Sequence, residues 1–152
     1  MPEAVILLSG GLDSSTVLAL AKEAGFEPVA LTFDYGQKHR REIDSAKMIA
    51  EHFRVKEHLI VPLDLGRFLV SSLTQTSMNV PSGRDRAEIG SGIPNTYVPS
   101  RNIIFLSIAS AIAESRGSRA VFIAANAVDF SGYPDCTPEF IDSFQKTLDV
   151  GT

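Results

Sequence analysis

Cysteine is nearly missing from this chain: Cys136 is the single one in 152 residues. One thiol can form neither an internal disulfide nor a Cys-x-x-Cys redox or zinc site, and it suits a reducing compartment. Basic charge is also scarce. Fourteen Lys and Arg face eighteen Asp and Glu, for a net charge of −4 and a pI near 5.3. That balance offers no basic face to a nucleic-acid backbone, so no direct nucleic-acid partner is expected. The one basic cluster, Lys38, His39, Arg40 and Arg41, reads as a solvated helix start. Long apolar runs are lacking too. The most apolar stretch, residues 103–113, is too short and too serine-dotted to cross a bilayer. The first residues, Met1-Pro2-Glu3, lead straight into a strand without the basic and apolar regions of a signal peptide. The expectation is a cytoplasmic protein with no membrane partner.

What is present is ordinary globular material, with a hydrophobic fraction of 44% and a charged fraction of 21%. It supports one compact domain over residues 1–152. Residues 4–8 are an uninterrupted apolar run, as a buried parallel strand requires. Residues 29–33, 59–62 and 120–124 read as further strands. Between them the apolar spacing turns helical. Val17, Leu18, Leu20, Ala21 and Ala24 mark a first helix closed by Gly25, and Ile43, Ala46, Met48, Ile49 and Phe53 mark a second. Residues 63–73 suggest a short helix. Residues 74–99, with three prolines and three glycines, read as a long loop of the kind that is usually functional. Ser100 is the expected cap of a helix over 101–115, with Ile104, Phe105, Ile108, Ile112 and Ala113 as its stripe. Pro138 opens a last helix with Phe140, Ile141, Phe144 and Leu148 on one face. This alternation predicts an α/β fold, a doubly wound parallel sheet with helices on both faces and ligands at the carboxyl ends of its strands.

Ser9-Gly10-Gly11-Leu12-Asp13-Ser14 lies between the first strand and the first helix. Two glycines let the backbone turn and approach an anion, and the helix start supplies N–H groups and positive dipole. Ser9, Ser14 and Ser15 add hydroxyls. No lysine follows as in a Walker loop, and no third spaced glycine makes a dinucleotide fingerprint. A plain tight turn with Asp13 as a capping residue is the other way to read it.

Three more segments sit at strand ends or helix starts. After the second strand come Asp34, Tyr35, Gln37 and His39; a turn and helix cap would explain Asp34 and Gly36 but not Tyr35, Gln37 and His39 in one loop, which reads as a binding segment. Arg101 opens a helix, where the dipole is already positive, which suits an anion opposite it; a plain surface arginine is the other reading. Asn126, Asp129, Ser131, Tyr133 and Asp135 follow the fourth strand and could read a planar, hydrogen-bonding base. Cys136 beside them is either a small packing residue or a nucleophile.

The string SGGLDS resembles the pyrophosphate loop of the PP-loop ATP-pyrophosphatases. Together with TFDYGQKHR, TYVPSRNIIFLSIA and NAVDFSGYPDCTPEF, in that order and over residues 4–152, the chain resembles the 7-cyano-7-deazaguanine synthase (QueC) family of that superfamily. The resemblance implies an adenine nucleotide alpha-hydrolase-like, Rossmann-like fold. It also implies a carbon–nitrogen ligase of queuosine biosynthesis, in the pathway of tRNA modification. Such an enzyme converts 7-carboxy-7-deazaguanine and ammonia to 7-cyano-7-deazaguanine, consuming ATP with Mg2+ and releasing AMP and pyrophosphate. By position, ATP would lie against Leu8, Ser9, Gly10, Gly11, Leu12, Asp13, Ser14, Ser15, Thr16, Val17 and Leu18. Asp13 and Arg101 would be catalytic. Asp34, Tyr35, Gln37, His39, Asn126, Asp129, Ser131, Tyr133 and Asp135 would bind the substrate. Self-association as a homodimer is implied as well.

The chain departs from the family pattern at Ser100, where glycine is usual, at Phe130, where tyrosine is usual, and at Thr137, where arginine is usual. The family also carries Zn2+ on four cysteines of a later segment. Those ligands are not supplied here, so no metal ligand is assigned in this chain, and the domain is expected to be C-terminally incomplete relative to the family. The alternative to the ligase is a non-catalytic PP-loop nucleotide-binding module or an inactive fragment. ATP consumption in such a module would be indifferent to 7-carboxy-7-deazaguanine.

Overall fold

The computed structural model describes residues 1–35, 40–67, 98–125 and 132–152. The chain falls into two compact units, described separately. One comprises Met1–Asp34, His39–Leu63 and Ile104–Ala124; the other comprises Tyr35–Lys38, Asp64–Ile103 and Ala125–Thr152.

The first unit is a parallel sheet with its covering helices. Its strands are β1 (Glu3–Leu7), β2 (Glu27–Asp34), β3 (Glu57–Pro62) and β4 (Ala120–Phe122), and its helices include α1 (Leu12–Glu23) and α2 (Arg41–His52). The helix α3 (Arg101–Arg116) has its first turn in the second unit. The strand order is β3-β2-β1-β4, and every pairing is parallel, with Val5 opposite both Val29 and Val121. From β1 the chain steps outward to β2 and β3, then returns to the far side of β1. The order therefore reverses between β1 and β4, the switch point at which open parallel sheets bind ligands.

Side chains alternate between the two faces of each strand, and the core follows. Ala4, Ile6, Leu8 and Ala30 pack with Leu18 and Ala21 of α1 and with Ala46 and Ala50 of α2. Val5, Leu7, Val29, Leu31 and Phe33, also buried, point to the opposite face. There Phe33 stacks on Phe105 of α3, with centroids 4.2 Å apart and planes at 15°. Helices thus cover both faces, as the alternating pattern predicts. Ile6, Leu8, Leu18 and Leu31 are fully buried, each contributing about 1.5–3 kcal/mol.

Some expected stripes shift by a residue. Leu20 and Met48 are exposed at 56% and 66%, whereas Ala50 is buried. On α3 the buried positions are Asn102 in the first turn and, beyond it, Leu106, Ala109, Ser110 and Ala113; the isoleucines at 104, 108 and 112 are only half-covered. Small residues let a helix approach a sheet closely, so they take the centre of the contact and the long side chains flank it. Strand β2 starts at Glu27, two residues before the expected run, because Gly25 turns the chain sharply with a φ of +86°. Strand β4 ends at Phe122, short of the expected Ala124.

At the amino ends of the strands, one carboxylate gathers several partners. Glu3 accepts from Arg116 at 2.7 and 3.3 Å, from Lys56 at 3.1 Å and from Ser118 at 2.7 Å. Arg116 also pairs with Glu57, and Lys56 with Glu27. The Arg116 hydrogen bond, then Ser118 and Lys56, lower the Glu3 pKa to about 2 against the cost of burial.

In the second unit, Leu65–Arg67, within the short helix expected over 63–73, form a 3-10 turn; the rest of that helix from residue 68 lies outside the described residues, as do all of residues 68–97. Helix α4 (Pro138–Gly151) begins as expected. Thr137 accepts from the Phe140 N–H at 3.1 Å and Pro138 occupies the first turn, a strong start signal. Thr137 therefore caps this helix. Phe140, Ile141, Phe144 and Leu148 are its half-buried residues, on the face the spacing predicts.

Candidate functional site

The loop between β1 and α1 sits at the switch point. Gly11 is the N-cap of α1, with extended backbone (φ −88°, ψ 172°) and no side-chain cap. The first N–H satisfied along the helix is that of Ser15, on the Gly11 carbonyl at 3.2 Å. The N–H groups of Leu12, Asp13 and Ser14 thus have no intrahelical acceptor and point out of the helix start, the arrangement that binds anions.

The two glycines have different jobs. Gly10 has a φ of +88°, and a Cβ there would lie 2.2 Å from the Glu42 carbonyl oxygen and 2.9 Å from the Ala46 nitrogen. Its lack of a side chain is demanded by α2, whose Ser45 hydroxyl also donates to the Gly10 carbonyl at 2.8 Å. At Gly11 an added Cβ would meet only its own loop, at Ser9 Oγ 3.5 Å away. Among the described residues nothing needs glycine there, so this side of the helix start is open in them.

The serines knit the loop. Ser14, nearly buried, accepts from the Ser9 N–H at 3.2 Å and donates to the Gly11 carbonyl at 3.2 Å. The Ser9 and Ser14 hydroxyls lie 3.0 Å apart. Ser15 donates to the Gly11 carbonyl at 2.7 Å, and Thr16 to the Leu12 carbonyl at 3.0 Å. Asp13 is exposed in the first turn, so it is no cap; the Gly11 position serves that end. Leu12 is 82% exposed beside it. Leu8 and Leu18 are buried in the core and Val17 packs against it, so their side chains support the loop from beneath and offer no donor to a ligand.

Asp34, at the end of β2, pairs with Arg40 at 3.2 Å, and its carbonyl accepts from the Leu63 N–H at 2.7 Å. Gln37 and His39 lie outside the described residues, as do Asn126, Asp129 and Ser131.

In the second unit, Tyr35, Arg101, Tyr133 and Asp135 come together around the first turn of α3. Arg101 donates to the Tyr35 hydroxyl at 3.3 Å, and its guanidinium lies 5.9 Å from the centre of that ring. Burial opposes the Arg101 charge, but Tyr35, Tyr133 and Asp135 outweigh it, so its pKa stands above the ordinary arginine value. Asp135, 5% exposed, accepts from the Asn102 N–H at 2.9 Å while its carbonyl accepts from the Asn102 side chain at 2.9 Å. Part of the anion that the helix-start arginine calls for is therefore Asp135 itself. Ser100, the expected cap, has a φ of +56°, whereas an N-cap residue is normally extended; Asp135 takes up the Asn102 donor in this turn.

Asn102 also donates to Cys136 Sγ at 3.3 Å. Burial, with the Asp135 charge adding to it, pushes the thiol pKa up. A thiol held protonated is a poor nucleophile, which favours the packing reading of Cys136. Among the described residues, no group of three or more His, Cys, Asp or Glu is placed to hold a metal ion. Zinc therefore finds no ligand set in them.

Sequence reading missed Thr32, His58 and Ser45. Thr32 was visible only as a hydroxyl interrupting an apolar strand; His58 and Ser45 reach the loop region through partners far away in sequence.

A four-stranded parallel sheet with helices on both faces and a glycine loop at its switch point defines an α/β, Rossmann-like fold. The fold is similar to that of a predicted subunit of tRNA methyltransferase from Methanocaldococcus jannaschii, with a TM-score of 0.57 at 15% identity over 99% of this chain and 65% of that one. The chain belongs to the QueC family: the family described as "Queuosine biosynthesis protein QueC" matches residues 3–152. It is 51% identical over 153 residues to "7-cyano-7-deazaguanine synthase 2" of Desulfitobacterium hafniense, covering 100% of this chain and 63% of that protein. To the 7-cyano-7-deazaguanine synthase of Thermosynechococcus vestitus it is 53% identical over 150 residues, covering 99% and 64%. The chain spans less than two thirds of the length of these relatives. None of its described helices is long and apolar enough to cross a membrane.

Proposed function

We propose that this chain carries the ATP-binding and acid-activating part of a 7-cyano-7-deazaguanine synthase. The observation that carries the reading is the α1 start, with three unsatisfied N–H groups and an open Gly11 above them, in a chain 51% identical over its full length to a synthase. The loop would hold the β- and γ-phosphates of ATP as one departing unit, with Ser9 and Ser15 hydroxyls beside them. The exposed Asp13 carboxylate fits magnesium, which takes one or two carboxylates together with phosphate oxygens. Bound there, the ion would neutralise the triphosphate charge.

The substrate carboxylate attacks the α-phosphorus of ATP, pyrophosphate leaves, and ammonia displaces AMP to give the amide. A second ATP adenylates the amide oxygen with release of pyrophosphate, and departure of that oxygen as AMP with loss of the two amide protons gives the nitrile. Arg101, kept charged in a half-buried position, suits a carboxylate, and Tyr35 and Tyr133 offer flat faces and hydroxyls to a deazaguanine. Asp34 and Asp135 are occupied by Arg40 and Asn102, which favours positioning roles for both.

The test mixes the chain with ATP, magnesium, ammonium and 7-carboxy-7-deazaguanine and follows AMP, pyrophosphate, amide and nitrile by mass spectrometry. AMP release that depends on the carboxylate is the expected result. ATP binding with AMP release indifferent to that substrate would refute the ligase and leave a nucleotide-binding module.

A further inference from the structure

His58 lies on β3, away from the loop, yet a continuous line of hydrogen bonds connects it to that loop. Its Nε2 is 2.8 Å from Thr32 Oγ1 on β2, and Thr32 Oγ1 donates to the Leu8 carbonyl at 2.7 Å. A hydroxyl has one proton, and the carbonyl can only accept. Thr32 therefore gives its proton to Leu8, and His58 donates from Nε2. The Leu8 carbonyl belongs to the same peptide group as the Ser9 N–H, which donates to Ser14 Oγ at 3.2 Å. One peptide plane, the last before the two glycines, is thus held at its oxygen by Thr32 and at its nitrogen by Ser14. Ser14 in turn donates to the Gly11 carbonyl at the start of α1.

We propose that His58 is a positioning residue for the phosphate loop, acting through Thr32 on the Leu8–Ser9 peptide. The proposal rests on the nucleotide-binding reading of that loop. A peptide plane has two soft torsions flanking it, and beyond Leu8 the backbone has left the sheet: the Leu8 N–H is bonded to Leu31 at 2.8 Å, whereas the Leu8 carbonyl is held by a side chain. That side chain is where the orientation of the loop is decided. Thr32 alone could rotate about χ1, and the imidazole donor removes that freedom. Burial, reinforced by the charge of Lys47, lowers the His58 pKa, which favours the neutral ring with its proton on the nitrogen facing Thr32.

The test uses the whole chain with four substitutions: His58→Leu and Thr32→Val, which break the line, and His58→Gln and Thr32→Ser, which keep a donor or a hydroxyl. Amide exchange by NMR reads the Ser9 N–H without any ligand, and calorimetry reads the ATP dissociation constant. Losing one hydrogen bond corresponds to about a fivefold effect, so Ser9 exchange accelerates about fivefold beyond the rest of β1 in the two breaking variants. ATP binding weakens by about the same factor, and the conservative variants restore both. An unchanged Ser9 amide, or acceleration shared evenly by the whole of β1, overturns the proposal. So does faster Ser9 exchange in a protein whose ATP affinity is unaltered. If the unsubstituted chain binds no ATP but Ser9 responds selectively, the nucleotide reading fails while the control of the peptide plane stands.

Discussion

Replacing Gly10 and Gly11 separately by alanine should split folding from binding. For Gly10→Ala, two costs combine. A left-handed backbone at φ +88° costs a residue with a Cβ about 1–2 kcal/mol. The new methyl would stand 2.2 Å from the Glu42 carbonyl oxygen and 2.9 Å from the Ala46 nitrogen, both backbone atoms of α2 that cannot swing away, and such overpacking costs about 1–3 kcal/mol. The total, about 2–5 kcal/mol, is a large part of the 5–15 kcal/mol available to a domain. For Gly11→Ala the backbone is extended and the nearest atom sits at an ordinary 3.5 Å, so the stability change should stay within about 0.5 kcal/mol. That methyl would project into the space above the unsatisfied N–H groups, and ATP affinity should fall at least tenfold, about 1.4 kcal/mol. Urea denaturation and calorimetry with ATP measure the two quantities. A Gly10→Ala protein as stable as the parent would refute the packing argument. A Gly11→Ala protein that binds ATP unchanged would refute the anion site.

Acid should expose the Glu3 network. Its folded pKa of about 2 lies below the ordinary 4.5, so its stabilisation is complete above pH 4.5 and fades as pH falls towards 2. Glu3→Gln should cost about 1 kcal/mol at neutral pH, allowing for solvent screening, and the difference should vanish as pH falls through about 2; a constant difference across pH in denaturation curves would contradict this. Ser100→Gly should stabilise, since glycine tolerates the φ of +56°; the relief of about 1–2 kcal/mol, less about 0.5–1 kcal/mol of added chain freedom, leaves a small rise in Tm. Among the described residues Ser110 Oγ is buried without a hydrogen-bond partner, so Ser110→Ala should raise stability by about 1 kcal/mol, and a loss in thermal melts would show that the hydroxyl is satisfied.

The strands and helices were legible because local patterns decide them. Apolar runs marked β1 to β4, and Pro138 after Thr137 marked the start of α4. The stripes were less legible. Leu20 and Met48 fit a helical period, but only the distance of each helix from the sheet decides whether such a residue is covered, and here alanines and a serine take the centre. The phosphate loop could be read as a string, yet not the division of labour within it. Gly10 answers to Glu42 and Ala46, more than thirty residues on, and no local pattern shows that. Arg101 looked exceptional at a helix start, and only the structure shows Asp135 beside it. The roles of Thr32 and His58 were hidden for the same reason: their meaning lies in contacts between strands.

The strand order also bears on synthesis. Among the four strands of this sheet β1 leaves the ribosome before the others, and β2 follows it at once, but its other neighbour pairs Ala4 with Ala120. Until β4 emerges, one side of β1 stays an open row of backbone donors and acceptors, the kind of edge that recruits foreign strands. The β4 side of β1, the strand whose carboxyl end carries the phosphate loop, is consequently completed last, and a nascent chain has its helix start long before it has the strand that closes that side.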